Sequence, residues 1–404
     1  MHKRMSRILA ALSLLTLFPV FASASPARVE ALNVPGDYVK DYAGMFTYLS
    51  GVSGSGNLVW AQPDGNGNQG MGAILGNLWE GRLGTWGVNL RRVAPSLGQP
   101  MFGDPITTTI NSGIFSDPNF TGEAFDLMWG KKMGSGSLGL RLNRSFVSND
   151  SAGTTEGNGN FERNIWGVGG GFGFALNQNS DVELSALFQN RSFQGVDAVT
   201  PGGPAADNGG ATYQLAGRMM IKGGGNLTVV PVVKYYKFDL SETGATPATN
   251  ADRTLSGWTA GVSGNWAVGS DDMLILGAQF VGNHAEQTIG AGAKQDLKET
   301  FYPNVFLGME NHINSWLTLR AGAQNAMMLS VRNESGNPAV TTTAKLHAFS
   351  FNMGAGVKLG TLQLDATLAQ DFWNNPLRVL GVSDAAPTVA SNTPFPRVSA
   401  TYSF

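Results

Sequence analysis

The feature that most limits what this chain can fold into is an alternation of apolar and small polar residues with a period of two. It recurs along most of the 404 residues. In "SLGLRLNRSF", Leu138, Leu140, Leu142 and Phe146 share one face of an extended strand, and Gly139, Arg141, Asn143 and Ser145 share the other. "DVELSALF" sets Val182, Leu184, Ala186 and Phe188 against Glu183, Ser185 and Leu187, and "TLQLDATLAQD" repeats the arrangement with Leu362, Leu364, Ala366 and Leu368. Short turns are expected near Glu80, Gly134, Asn179, Gly224, Ser270, Ser315 and Gly360, separated by longer connections rich in Gly, Pro, Asn, Thr and Ser. Seven short turns and eight long loops make about 16 strands, with both ends of the wall on the short-turn side.

A soluble β-sandwich also alternates, so the identity of the polar face decides between the classes. Only 14% of residues are charged, and the polar positions are largely Gly, Ser, Thr, Asn and Gln. The aromatic residues supply a second test. Trp86, Trp129, Phe174 and Trp266 fall on apolar faces near short turns, while Trp166, Tyr213, Trp258, Phe301 and Phe349 fall on apolar faces near long loops. Two girdles are expected, as in a membrane barrel. The fold class read from these patterns is all-β: a transmembrane antiparallel β-barrel of about 16 strands, with short periplasmic turns and long extracellular loops. The alternative is 14 strands.

The start of the chain agrees with export. His2, Lys3, Arg4 and Arg7 precede an apolar run from Ile8 to Phe21, and Ala22 to Ala24 offers small residues for cleavage. Residues 1–24 read as a signal peptide, too short in its apolar core to span a bilayer. Without Lys3, Arg4 and Arg7 there are 24 basic residues against 29 acidic ones, a balance of −5 that makes nucleic acid an unsuitable partner. The absence of cysteine excludes disulfides, thiolate metal sites, a cysteine nucleophile and a lipid-modified cysteine. Residues 25–54 are expected to form a periplasmic or plug segment, and residues 55–404 the barrel, in the outer membrane of a Gram-negative-type bacterium.

The last residues, "RVSATYSF", place Val398, Ala400, Tyr402 and Phe404 on one face and Arg397, Ser399, Thr401 and Ser403 on the other. This stretch resembles the C-terminal strand of bacterial outer-membrane proteins. The resemblance implies that Tyr402 and Phe404 are part of the signal read by the barrel-assembly machinery. Residues 28–52, "RVEALNVPGDYVKDYAGMFTYLSGV", resemble the segment before the first strand in the long-chain fatty-acid transporter family. Gly36, Asp37 and Asp41 match, whereas Tyr48 to Gly51 stands where that family has Asn-Pro-Ala. That resemblance implies a plug and a hydrophobic substrate.

No signature of catalysis or cofactor binding emerges. His284, His312 and His347 lie near expected strand ends, and "GVSGS" at Gly51 and "GVSGN" at Gly261 both lack the last glycine of a nucleophile elbow. "DGNGNQG" at Asp64 has Gln69 and Leu75 where a calcium loop needs Gly and Glu, so it reads as a hairpin loop. "GVGGGFGF" at Gly167 has Phe172 in place of the final glycine of a dinucleotide fingerprint; its inward glycines suit a wall over which something packs closely. The protein is expected not to be an enzyme, with no cofactor and no metal.

The lumen carries the candidate functional residues. Arg91, Asp126, Arg141, Glu183, Arg218, Glu310, Arg320, Lys358, Asp365 and Arg397 fall on the inward face. Symmetry about the turn at Met133–Gly134 places Asp126 directly opposite Arg141. Glu310 and Arg320 are symmetric about Ser315, while Glu183 with Arg218 and Asp365 with Arg397 lie on adjacent strands. Interleaved signs read first as neutralising the wall. The expected function is a passive outer-membrane channel or porin for small solutes. Loops 94–119, with Met101, Phe102, Ile110, Ile114 and Phe115, and 374–394 would constrict its entrance. The alternatives are uptake of a hydrophobic compound past an N-terminal plug, or a structural or secretion-associated barrel. The expected partners are membrane lipid, the assembly machinery and a small solute or hydrophobic substrate; the oligomeric state is left open.

Overall fold

The computed structural model describes residues 25–62, 70–91, 123–149, 161–196, 205–243, 251–289, 292–334, 340–368 and 397–404, apart from 77, 80, 240, 241, 270 and 293. The leader, "DGNGNQ" and both candidate constriction loops lie outside the described residues.

Alternation becomes strand wherever it was read. The strands are β1 (Leu58–Gln62), β2 (Gly70–Leu75), β3 (Thr85–Arg91), β4 (Glu123–Met133), β5 (Gly136–Asn149), β6 (Phe161–Asn177), β7 (Ser180–Val196), β8 (Ala205–Lys222) and β9 (Leu227–Asp239). They continue with β10 (Glu242–Thr243), β11 (Ala251–Val268), β12 (Asp272–Ile289), β13 (Gln295–His312), β14 (Leu317–Glu334), β15 (Val340–Leu359), β16 (Leu362–Leu368) and β17 (Arg397–Ser403). Each pairs antiparallel with its neighbours, and β1 pairs with both β2 and β17, which closes the wall. The two-residue β10 extends the line of β9 between β8 and β11, leaving 16 wall strands as expected. Closure matters physically, because an open edge in hydrocarbon would leave backbone N–H and C=O groups unpaired.

The seven short turns fall where read, and several close on a glycine with positive φ, such as Gly134 and Gly360. One register differs from expectation. Met133 pairs with Gly136, so the β4–β5 turn is centred one residue later, and Asp126 faces Asn143 while Arg141 faces Met128. The charged pair is therefore diagonal.

Outward positions form an apolar belt, with Leu140, Leu142, Val168, Phe172, Leu184, Leu215, Val233, Val262 and Leu276 all exposed. Inward positions on the same strands are polar and buried, including Asn89, Asn143, Ser185, Thr212 and Gln279. Trp86, Trp166, Tyr213, Trp258 and Phe349 face outward as expected. Phe301 does not. Register irregularities between Phe301 and Val305 in β13, around Pro303, reverse which parity faces the lumen, so Phe301 turns inward and Tyr302 takes the outward place. Among the described residues no helix is long and apolar enough to cross a membrane.

Candidate functional site

Residues 25–54 lie inside the barrel, against the half of the lumen nearest the short turns. Helix α1 (Pro26–Leu32) starts on Ser25, whose Oγ accepts from Arg28 N, with Pro26 at a position where no N–H is needed. It ends on Asn33, which adopts the left-handed conformation that short polar residues tolerate. Three 3-10 turns follow at Gly36–Tyr38, Ala43–Phe46 and Leu49–Gly54. A chain this short could not hold such a shape alone. The wall supplies what it lacks.

One contribution is apolar. Leu32, Val34, Tyr38 and Val39 pack with Met220, Val230, Val232, Ile275 and Phe306 of the wall. On the opposite side, Tyr42, Met45, Phe46 and Val52 pack with Leu58, Trp60, Ile74 and Met128. Glycines let the two backbones touch: a Cβ at Gly139 would overlap the Leu49 carbonyl, and one at Gly322 would overlap that of Leu32. Gly171 and Gly173, from the glycine run that was expected to accept close packing, meet Leu49 and Ser50.

The other contribution is ionic, and it uses the residues singled out in the sequence. Arg28 holds Glu310 through two bonds, Nε to Oε2 at 2.6 Å and Nη2 to Oε1 at 2.8 Å. Arg320, directly opposite Glu310 as expected, donates to it at 2.6 Å and to Asp365 at 2.7 Å; Asp365 in turn accepts from Ser25 Oγ at 2.7 Å. The helix start is thus locked into a circuit spanning β13, β14 and β16. Arg218, opposite Glu183, bonds it at 2.6 Å and donates Nη1 to the Asp37 and Val39 carbonyls, with its guanidinium over the Tyr48 ring. Lys234 meets Asp37 Oδ2 at 2.6 Å. Arg141 bonds Asp126 at 2.8 Å and the Phe46 carbonyl at 3.1 Å, and Asn89 completes Asp126.

Asp365 and Arg397 lie on adjacent strands, as expected, but not in register: their partners are Ser399 and Thr367, and Arg397 lies 2.9 Å from Glu30 of α1. Lys358 is exposed at the short-turn rim, away from the buried circuit. Arg91 stands opposite Ala124, and its side chain lies outside the described residues. Sequence reasoning missed Arg28, Asp37 and Lys234 as members of the site. Only the position of Asp37 in the plug resemblance pointed toward them.

A small acidic group lies on outward positions of β12 and β13. His284, Glu286 and Asp296 offer ligand atoms within 4.8 Å of one another, but Lys294 Nζ is 2.7 Å from Glu286 and Lys298 Nζ is 3.7 Å from Asp296. Lysines already neutralise those carboxylates, which fits a solvated charge cluster. At the chain end, Phe404 N bonds the Asn57 carbonyl, and the Tyr402 and Phe404 rings stack with centroids 6.2 Å apart on the outward face.

A closed wall with an apolar outside and a polar, occupied inside has one solvent to suit it. This is an outer-membrane β-barrel. No protein family and no curated protein matches the sequence. Among solved structures, it is similar to the alcaligin outer-membrane receptor FauA from Bordetella pertussis (12% identity, TM-score 0.45, covering 70% of this chain and 48% of that one). It is also similar to the ferric yersiniabactin uptake receptor FyuA from Yersinia pestis (10%, 0.42, 70% and 51%) and the FrpB iron transporter from Neisseria meningitidis (8%, 0.43, 77% and 60%). The chain spans about half to three-fifths of their length.

Proposed function

We propose that this protein is a gated outer-membrane transporter for a small solute, closed at its short-turn end by residues 25–54. The observation that carries the proposal is the joint seating of that segment, by apolar packing on two sides and by ionic contacts to β8, β9, β13 and β17. A 16-stranded wall is wide enough for an aqueous passage. A segment whose only task was to fill it would need no charge, since apolar side chains of similar volume seal a core at least as well as buried ion pairs do. A seat held by charges is one that separates into hydrated halves. The proposal departs from a permanently open porin, the first expectation from strand number, and keeps the plug that the fatty-acid transporter resemblance implied. It assigns no catalysis.

Removing residues 25–54 tests it. In sugar-loaded liposomes the shortened barrel should admit solutes several-fold faster than the intact one. Equal swelling by two barrels that both show heat-modifiable migration on a gel would overturn the proposal.

A further inference from the structure

Above the plug, the inward side of β8, β9 and β11–β13 is built in rungs that alternate in polarity. Inward positions on one strand are two residues apart, about 6.6 Å, so each rung is a separate layer. The rung beside the plug pairs Gln279 with Asn304. The next pairs Val281 with Phe301, both buried and apolar. The third holds Asn283, which is linked across Gly257 to Tyr236, itself opposite Gln214.

The amides are the unusual feature. Gln214, Gln279, Asn283 and Asn304 are each no more than 3% exposed. Yet both amide atoms of Gln214 and of Asn304, Nε2 of Gln279 and Nδ2 of Asn283 bond to nothing in the protein. Folded proteins rarely bury polar atoms without a partner. Gln279 and Asn304 face each other across a strand pair and still do not join. Two of the amides are instead held by tyrosines. Tyr236 lies across Gly257, where a Cβ would strike its ring, and donates its hydroxyl to Asn283 Oδ1. Tyr38 of the plug lies across Gly261 in the same way and donates to Gln279 Oε1 at 3.4 Å. In both cases the oxygen is fixed and the NH2 group is left to donate.

We propose that these rungs are a binding site for a neutral saccharide, seated on the plug. The proposal rests on the transporter reading and names its substrate class. A sugar presents hydroxyls that both donate and accept around an apolar C–H face, which suits amides offering both functions on either side of the Val281–Phe301 rung. The six unpaired amide atoms carry no formal charge to neutralise a carboxylate or phosphate, so fatty acids and sugar phosphates are disfavoured.

The test is calorimetric titration of the purified full chain in an amine-oxide detergent, which has no sugar headgroup to compete. The probes are maltose and N,N′-diacetylchitobiose, with laurate and glucose 6-phosphate as comparators. A neutral disaccharide should bind saturably and the two anions should not. Asn304→Leu and Gln214→Leu should each weaken binding about tenfold, because an unpaired hydroxyl is left in the site. Tyr236→Phe keeps the ring and frees Asn283, so it should weaken binding several-fold with heat-modifiable migration unchanged. Saturable binding of laurate alone, no saturable heat with either disaccharide, or wild-type affinity in a folded Tyr236→Phe protein would each overturn the site. Liposome swelling in the same sugars separates the two proposals. Binding without flux removes the transporter reading and leaves the site, whereas flux without binding does the reverse.

Discussion

Glu310 is the residue on which the plug seat turns, because two guanidinium groups share its carboxylate. Glu310→Gln would leave Arg28 and Arg320 facing each other with Asp365 as their one remaining acid in the circuit, and breaking a buried network in this way costs about 3–5 kcal/mol. Arg28→Leu should cost less, since Arg320 still satisfies Glu310. Protease nicking within residues 25–54 measures the difference: the Glu310→Gln protein should be cut fastest, and equal rates would show that the circuit does not hold the segment. Asp41 adds a dependence on pH. It is partly accessible overall, but its Oδ2 is covered and bonds to nothing, while Oδ1 accepts from Gly44 N. Burial raises its pKa from 3.8 to about 6, against the opposing pull of Arg28 and Arg218 and with a small push from Glu310. A carboxyl whose seated pKa is raised favours the seat most while protonated, so this contribution is lost as pH climbs from about 4 through about 6. Conductance should therefore rise over that window, and Asp41→Asn should flatten the rise. A steeper profile in the Asn variant would contradict this assignment. The inward face of Arg141 was legible from alternation; its contact with the Phe46 carbonyl was not, because no strand pattern reports what fills a lumen.

At the scale of elements, the wall was legible because lipid outside and polar lumen inside impose the same period on every strand. Turn centres were read to within a residue, and that residue converted the Asp126–Arg141 pair from opposite to diagonal. Phe301 was misplaced for a different reason: a bulge resets parity without changing composition. The plug was legible only through resemblance, since its short turns have no periodicity of their own. Close approach of plug to wall gives a sharp expectation. Gly139→Val should displace the Leu49–Gly54 turn and raise conductance, whereas Leu140→Val, one residue along and facing lipid, should leave it unchanged. Closure of the wall depends on β17, which joins β1 to β16. Deleting Phe404 should lower membrane yield more than Phe349→Ala does, because an assembly signal is lost along with apolar contact; equal yields would leave Phe404 with packing alone.

At the scale of the whole molecule, residues 25–54 of the proposed transporter are a removable seal. The chain contains no cysteine, so an introduced pair can form one disulfide and no other. Ser50 and Gly173 suit this purpose: a Cβ built at Gly173 lies 3.0 Å from Ser50 Cβ, within a small shift of disulfide geometry. That bond would pin the last turn of the plug to β6 without touching the ionic circuit of α1. Single-channel conductance of Ser50→Cys/Gly173→Cys in a planar bilayer, recorded before and after reductant, is the most direct measurement. A removable seal should give a closed barrel when oxidised and openings like those of the parent when reduced. Identical conductance in the two states, with the disulfide verified by mass, would contradict it.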